Sequence, residues 1–364
     1  MLGLTGCNYL AKPKVDNSLS IDKIATLLPP RNQDKTAWAT DIHDIFNTLK
    51  IERNAPNLCS AIAIIDQESN FKADPPVANL GKTSLTELNA KLDEKLGNML
   101  AGYFRNMLKN EPTPQNSFEK QILKVHTEQQ LDKLYHQMFE YFSQKYYTNK
   151  ITNLTKIVGG DIAEKLDPIT TLGSMQVHID YARNHQRLSG NNEELRRDLY
   201  SQYGGLYYGI HRLMLYQANY SDPIYRFADY NSGMYSSRNA GFQKMLAELT
   251  KQKIDLDGDL LNYNGNVQSQ SEKALNGMAQ QGLLALTARQ IHSELSREKS
   301  QNFADTEIYH TISSLYKMKT GKEPIVAMMP QVVISGAKLS RDYDTNWYAS
   351  AVNKRYLACM AKAR

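Results

Sequence analysis

Three cysteines in 364 residues are too few for a disulfide-built scaffold, and no Cys/His spacing or His-Glu-x-x-His run offers a zinc site. No apolar stretch approaches the roughly 18–20 residues of a membrane-spanning helix. Glycine (20) and proline (12) are too sparse for collagen-like or low-complexity sequence. A Gly-x-Ser-x-Gly elbow is missing, which removes the usual serine-hydrolase signature. Gly81-Lys82-Thr83 ends like a phosphate-binding loop, but Pro76 stands where its first glycine is required. The net charge of +5 is spread among acids without a basic block or a basic-aromatic motif, which speaks against nucleic acid as a partner.

What remains is an ordinary globular composition: 41% hydrophobic, 22% charged, with a mean hydropathy of −0.54. Tyrosine is abundant at 22. Its ring packs while its hydroxyl bonds, which suits both amphipathic helices and polar ligands such as sugars.

Apolar spacings of three and four recur along the chain and predict a mainly α protein. Leu58, Ile62 and Ile65 share one face of a segment at about 57–70. Leu85, Leu88, Leu92, Leu96, Leu100, Phe104 and Leu108 line a second helix, with Ser84 and Glu87 as its expected capping box. A third follows Pro112 and Pro114 and carries Ile122, Leu131, Leu134, Met138 and Phe142. A helix opens at Asn192 and Glu194 and runs toward Tyr208, interrupted at Gly204-Gly205. Asp222-Pro223 predicts an N-cap and first-turn proline. Further helices are expected at about 240–252, 272–297, 305–320 and 341–361, with Gly321 as a C-terminal cap. A short extended piece is expected within Ile325 to Ile334.

Three short motifs occur in order: Gln67-Glu68-Ser69-Asn70-Phe71 at the end of the apolar run Ala61-Ile62-Ala63-Ile64-Ile65, Gly173-Ser174-Met175-Gln176-Val177, and Ala228-Asp229-Tyr230-Asn231-Ser232-Gly233. A carboxyl group ending an apolar helix sits beside low-dielectric surface, and burial disfavours its charged form. Such a group can stay protonated near neutral pH and protonate a glycosidic oxygen.

Together the motifs resemble the soluble lytic transglycosylase family of the lysozyme superfamily, whose signatures are a helix-end Glu-Ser, a Gly-Leu-Met-Gln turn and an Ala-Tyr-Asn-x-Gly segment. Ser174 departs from that pattern, as does the interposed Asp229. The resemblance implies a lysozyme-like helical fold and cleavage of the MurNAc–GlcNAc bond of peptidoglycan without a cofactor. It implies Glu68 as acid and base, and Ser69, Met175, Gln176, Tyr230 and Asn231 as substrate-binding residues. Such enzymes need no second carboxylate, because the 6-hydroxyl of the muramic acid attacks its own anomeric carbon. A goose-type muramidase would need one to handle water. Asp66, Asp74, Asp180 and Asp229 are the candidates for it. The third alternative is a non-catalytic murein-binding protein.

Glu68 and Gly173 stand 105 positions apart, far more than the family's few tens, whereas Gly173 and Ala228 stand 55 apart. An insertion of two or three helices is therefore expected at about 76–165, as a cap over the cleft or a docking arm for a protein partner. It would interrupt a lysozyme-like domain over 35–250, followed by a helical extension over 251–364 packed on the core.

Leu4-Thr5-Gly6-Cys7 resembles a bacterial lipobox, and residues 8–34 read as a polar tether. The resemblance implies lipidation at Cys7 and a periplasmic location. Asn8 after the cysteine, rather than aspartate, implies the outer membrane. Cys59 and Cys359 then remain as an even pair, either bridged in an oxidising periplasm or buried as thiols.

Overall fold

A computed structural model describes residues 18–147, 166–167, 169–263, 267–334 and 342–364. Cys7, residues 8–17 of the proposed tether and residues 148–165 at the end of the insertion lie outside the described residues. The protein is mainly helical, as expected. The first helices are α1 (Ile21–Leu27), α2 (Lys35–Thr48) and α3 (Ala55–Glu68). Residues 18–34 are not tether: Ile24, Leu27 and Leu28 are fully buried, and α1 packs against α2. Their spacing of three and four carries that face, which the neighbouring Pro29 and Pro30 obscured.

α3 is the axis of the molecule. Asn54 caps it by accepting from the Asn57 amide, and Pro56 occupies its first turn. Leu58 through Asp66 are all buried, so the helix is enclosed on every side. It ends at Glu68, where the chain turns sharply through Asn70 and Phe71, both at positive φ (53° and 57°). That turn is locked by Phe71, whose ring meets Trp38 of α2 edge-on at 5.2 Å.

The segment expected as an insertion supplies α4 (Leu80–Asn110), α5 (Phe118–Ile122) and α6 (Glu128–Tyr147). α4 begins at Leu80, so Ser84 is buried inside it and does not cap it, and the helix kinks at Gly97. Phe104, Phe118 and Phe142 join α4, α5 and α6 through edge-on ring contacts of 5.2–5.5 Å. A two-stranded hairpin follows, β1 (Thr171–Leu172) and β2 (Val177–His178), with Leu172 opposite Val177. Then come α7 (Ile179–Asn184), α8 (Asn192–Tyr200), α9 (Gln202–Met214), α10 (Ile224–Ser232) and α11 (Ser236–Thr250). The break between α8 and α9 falls at Ser201, whose hydroxyl caps α9 at Gly204, and not at the glycines. Gly204 is inside the first turn because a Cβ there would lie 2.0 Å from the Asp198 carbonyl oxygen.

α12 (Gln270–Gln280), α13 (Ala288–Leu295) and α14 (Glu307–Thr320) build a second apolar cluster with α11, centred on Phe242, Met245, Leu275, Ile291 and Phe303. α14 ends at Gly321 with φ 70°, the glycine cap expected there. Short strands β3 (Val333–Ile334) and β4 (Tyr343–Asp344) pair before the last helix, α15 (Thr345–Ala363). α15 packs along α3 and α10, and Tyr348, Ala349, Val352 and Cys359 belong to the main core. The second cluster also begins before 251, because α11 contributes Phe242 and Leu246 to it.

Candidate active site

Glu68 stands at the C-terminal end of α3, enclosed by side chains from four other helices yet with part of its surface open to water. Burial pushes its carboxyl pKa up to about 7. The Tyr348 hydroxyl of α15 donates to its Oε1 and opposes the rise, as does the charge of Arg212 on α9. The negative charge of Glu128 on α6 adds to it. Tyr230 of α10 is buried at the same place, with the Arg212 guanidinium 4.5 Å from its ring centroid. Its hydroxyl donates to the Met175 carbonyl at 2.6 Å. The three motifs thus converge, and Asp229 does not turn Tyr230 away.

Asp229, the residue before Tyr230 in α10, occupies a cage of its own. It accepts from the hydroxyls of Tyr216, Tyr220 and Ser236 and from the amides of Tyr235 and Ser237, at 2.7–3.2 Å. Burial raises its pKa, and these donors offset the rise. The other candidate carboxylates are also engaged elsewhere. Asp66 is buried between Arg31 and Arg355, Asp180 pairs with Arg183 at 2.6 Å, and Asp74 accepts from the Gln129 amide at 3.4 Å.

The second motif forms the turn of the β1–β2 hairpin. Gly173 has φ 76°, and a Cβ there would lie 2.2 Å from the Leu199 carbonyl oxygen, so only glycine fits. Met175 is fully buried against Gly209 of α9. It presents its carbonyl to the site, whereas its side chain is core and not the floor of a cleft. Gln176 is fixed three ways: Oε1 accepts from the Thr171 hydroxyl at 2.9 Å, and Nε2 donates to Glu128 Oε2 at 3.0 Å and to the Gly173 carbonyl at 3.3 Å. Ser69 is buried and returns its hydroxyl to the Ile65 carbonyl at 3.1 Å, closing the helix end. Asn231 is partly exposed beside Tyr230, its amide without a hydrogen bond among the described residues.

Beyond Arg212, α9 carries Tyr207 and His211. The Tyr181 hydroxyl is hydrogen-bonded to His211 Nδ1 at 2.7 Å, and Tyr181 stacks on His185 at 4.3 Å. Burial and the neighbouring His185 lower the His211 pKa. Asp132, His136 and Asp167 come within metal-ligand reach of one another, but the Arg196 guanidinium already binds both carboxylates there. Cavities away from Glu68 include one of about 360 Å³ lined by Asp255, Asp257, Asp259 and Tyr263, and one of about 400 Å³ beside Arg31, Arg355 and Cys359.

The chain belongs to the family described as protein of unknown function (DUF1615). The match covers residues 31–362. The chain is similar to the uncharacterized protein YaiW of Escherichia coli (strain K12), 30% identical over 369 residues that span 99% of this chain and 96% of the relative. No solved structure matches the chain.

Tyr348, Arg212 and Glu128 carry no sequence motif. A signal for Tyr348 does exist. The structure joins Cys59 to Cys359, so α3 and α15 are stapled antiparallel. From that staple Glu68 lies nine residues along one helix and Tyr348 eleven back along the other. At about 1.5 Å per residue the two come level at the far end.

Proposed function

We propose that the protein is a peptidoglycan lytic transglycosylase with a lysozyme-like core, held by a lipid on Cys7 at the periplasmic face of the outer membrane. The observation that carries the reading is the carboxyl of Glu68, half-buried at a helix end and pushed up to about 7 with a tyrosine donor on it. Such a group is protonated for a large fraction of the time at neutral pH, and its proton can go to the glycosidic oxygen as the C1–O4 bond breaks. The C6 hydroxyl of the MurNAc unit then attacks C1, and its proton returns to the Glu68 carboxylate. The products are a 1,6-anhydro-MurNAc end and a free GlcNAc 4-hydroxyl, and no water is consumed. Tyr230, Arg212 and Gln176 border the place where this would occur. The Cys59–Cys359 disulfide supports an oxidising compartment.

The test is product analysis by liquid chromatography and mass spectrometry, with protein lacking residues 1–8 acting on purified sacculi beside Glu68→Gln. Anhydro-muropeptides from the wild type alone are the expected result. Reducing ends would instead make the protein a muramidase. Sacculus binding without release would make it a non-catalytic murein-binding protein.

A further inference from the structure

We infer that Glu128, carried to the Glu68 site by the insertion, is a positioning residue of that site: its carboxylate holds Gln176 beside Tyr230 and adds a second negative charge to the surroundings of Glu68. The inference rests on the reading of Glu68 as the acid.

Local backbone pairing explains how residue 128 reaches residue 68. The segment leaving Glu68 runs through Asp74 to Val77 and pairs with the segment entering α6. Pro76 bridges Thr127 in antiparallel fashion, and the Val77 amide donates to the His126 carbonyl at 2.8 Å. Asp74 accepts from the Gln129 amide on the same turn. The two ends of the insertion are therefore tied together next to Glu68, and Glu128 stands in the first turn of α6, where the amide dipoles of a helix favour an anion. From there it accepts the Gln176 amide at 3.0 Å. Gln176 is one residue from the carbonyl that takes the Tyr230 hydroxyl. The insertion thus contributes a charged group to the site rather than only covering it.

The groups acting on Glu68 are Tyr348 of α15, Arg212 of α9, Tyr230 of α10 and Glu128 of α6. Tyr348 and Arg212 favour the carboxylate, and Glu128 favours the acid. Repulsion from the Glu128 charge disfavours the ionised form of Glu68. The same repulsion acts after Glu68 has given up its proton. It makes the Glu68 carboxylate a stronger base toward the incoming hydroxyl, which a residue serving as acid and then base requires.

Glu128→Gln removes the charge while its amide oxygen can still accept from Gln176, and Glu128→Asp restores the charge on a shorter arm. The primary readout is the titration midpoint of the Glu68 carboxyl by carbon-13 NMR, assigned by comparison with Glu68→Gln. It needs no substrate. Glu128→Gln is expected to lower the midpoint by at least about half a unit, and Glu128→Asp to recover most of that shift. The alkaline limb of muropeptide release should move down in parallel. An unchanged midpoint in folded Glu128→Gln overturns the inference. A shifted midpoint in a protein that releases no muropeptide supports the coupling of the two carboxylates and overturns the transglycosylase reading alone.

Discussion

Replacing Glu68 by glutamine should make the protein more stable, increasingly so as pH rises. In the unfolded chain the Glu68 carboxyl titrates at about 4.5, and in the fold at about 7. Below about 4.5 it is neutral in both states and contributes no difference. Between the two values the unfolded chain has lost the proton that the folded chain still holds, so folding requires taking it up. Folding stability therefore falls as pH climbs from 4.5 through 7, and the fall saturates above 7. A shift of that size corresponds to about 3 kcal/mol at pH 7 and slightly more at pH 8.5, an upper bound because Glu68 keeps some contact with water. Glutamine fills the same space, can accept from Tyr348 and carries no charge. Urea unfolding of the two proteins at pH 4, 5.5, 7 and 8.5 isolates the term, since other buried acids such as Asp229 and Asp167 are common to both and cancel. The expected difference is near zero at pH 4 and about 2–3 kcal/mol in favour of the variant by pH 8.5. A difference that stays flat across the series, or one favouring the wild type at pH 8.5, would refute the placement of Glu68 in a desolvated site.

Other perturbations have equally definite directions. Tyr348→Phe removes a donor that favours the charged form of Glu68, so the Glu68 midpoint should rise by up to about one unit, opposite to the effect of Glu128→Gln, as NMR titration would read. Arg196→Met leaves Asp132 and Asp167 buried without their counter-charge and should cost about 3–5 kcal/mol in urea unfolding; a loss below 1 kcal/mol would mean the pair is dispensable. Reduction of Cys59–Cys359, or its replacement by two alanines, opens a loop of 300 residues. Chain entropy for such a loop gives at most about 6 kcal/mol, so a fall in thermal midpoint by many degrees is expected, with no change on reduction as the contrary result.

The helices and the three motifs were legible because both are local patterns. Periodic leucines and isoleucines mark one face of a helix whatever lies on the other side, and Gly321 sat where a helix needs a left-handed residue. Local patterns also misled where tertiary packing overrode them. Ser84 and Glu87 fit a capping box, but Leu80 is buried one turn earlier and draws the helix start back to it. Gly204-Gly205 suggested a break, yet the glycines serve a close approach of α8 and α9 inside a continuous turn. Prolines 29 and 30 made residues 8–34 look like tether, although Ile24, Leu27 and Leu28 form a buried face. Of the partners of Glu68, Glu128 and Arg212 were not legible, because they reach it across 60 and 144 residues and share no spacing with it, and only the Cys59–Cys359 pair pointed to Tyr348.

The closing of the chain on itself explains why a carboxyl can be held in so unfavourable a place. α3 is apolar all round and could not stand without cover on every side. The helix that covers it most extensively is the last one, α15, bonded to it at Cys59 and level with it at Glu68. Near its C-terminus α15 also meets the beginning of the fold, where Lys362 donates to the carbonyls of Leu27 and Leu28 that end α1. α15 therefore ties α3 to α1. Desolvating Glu68 opposes folding, and the burial of Val352, Ala349 and Cys359 against α3 offsets it with apolar contact that involves no charge. The group that would do the chemistry and the group that would steady it thus lie at opposite ends of the sequence, and the integrity of the site depends on the fold as a whole rather than on any one motif.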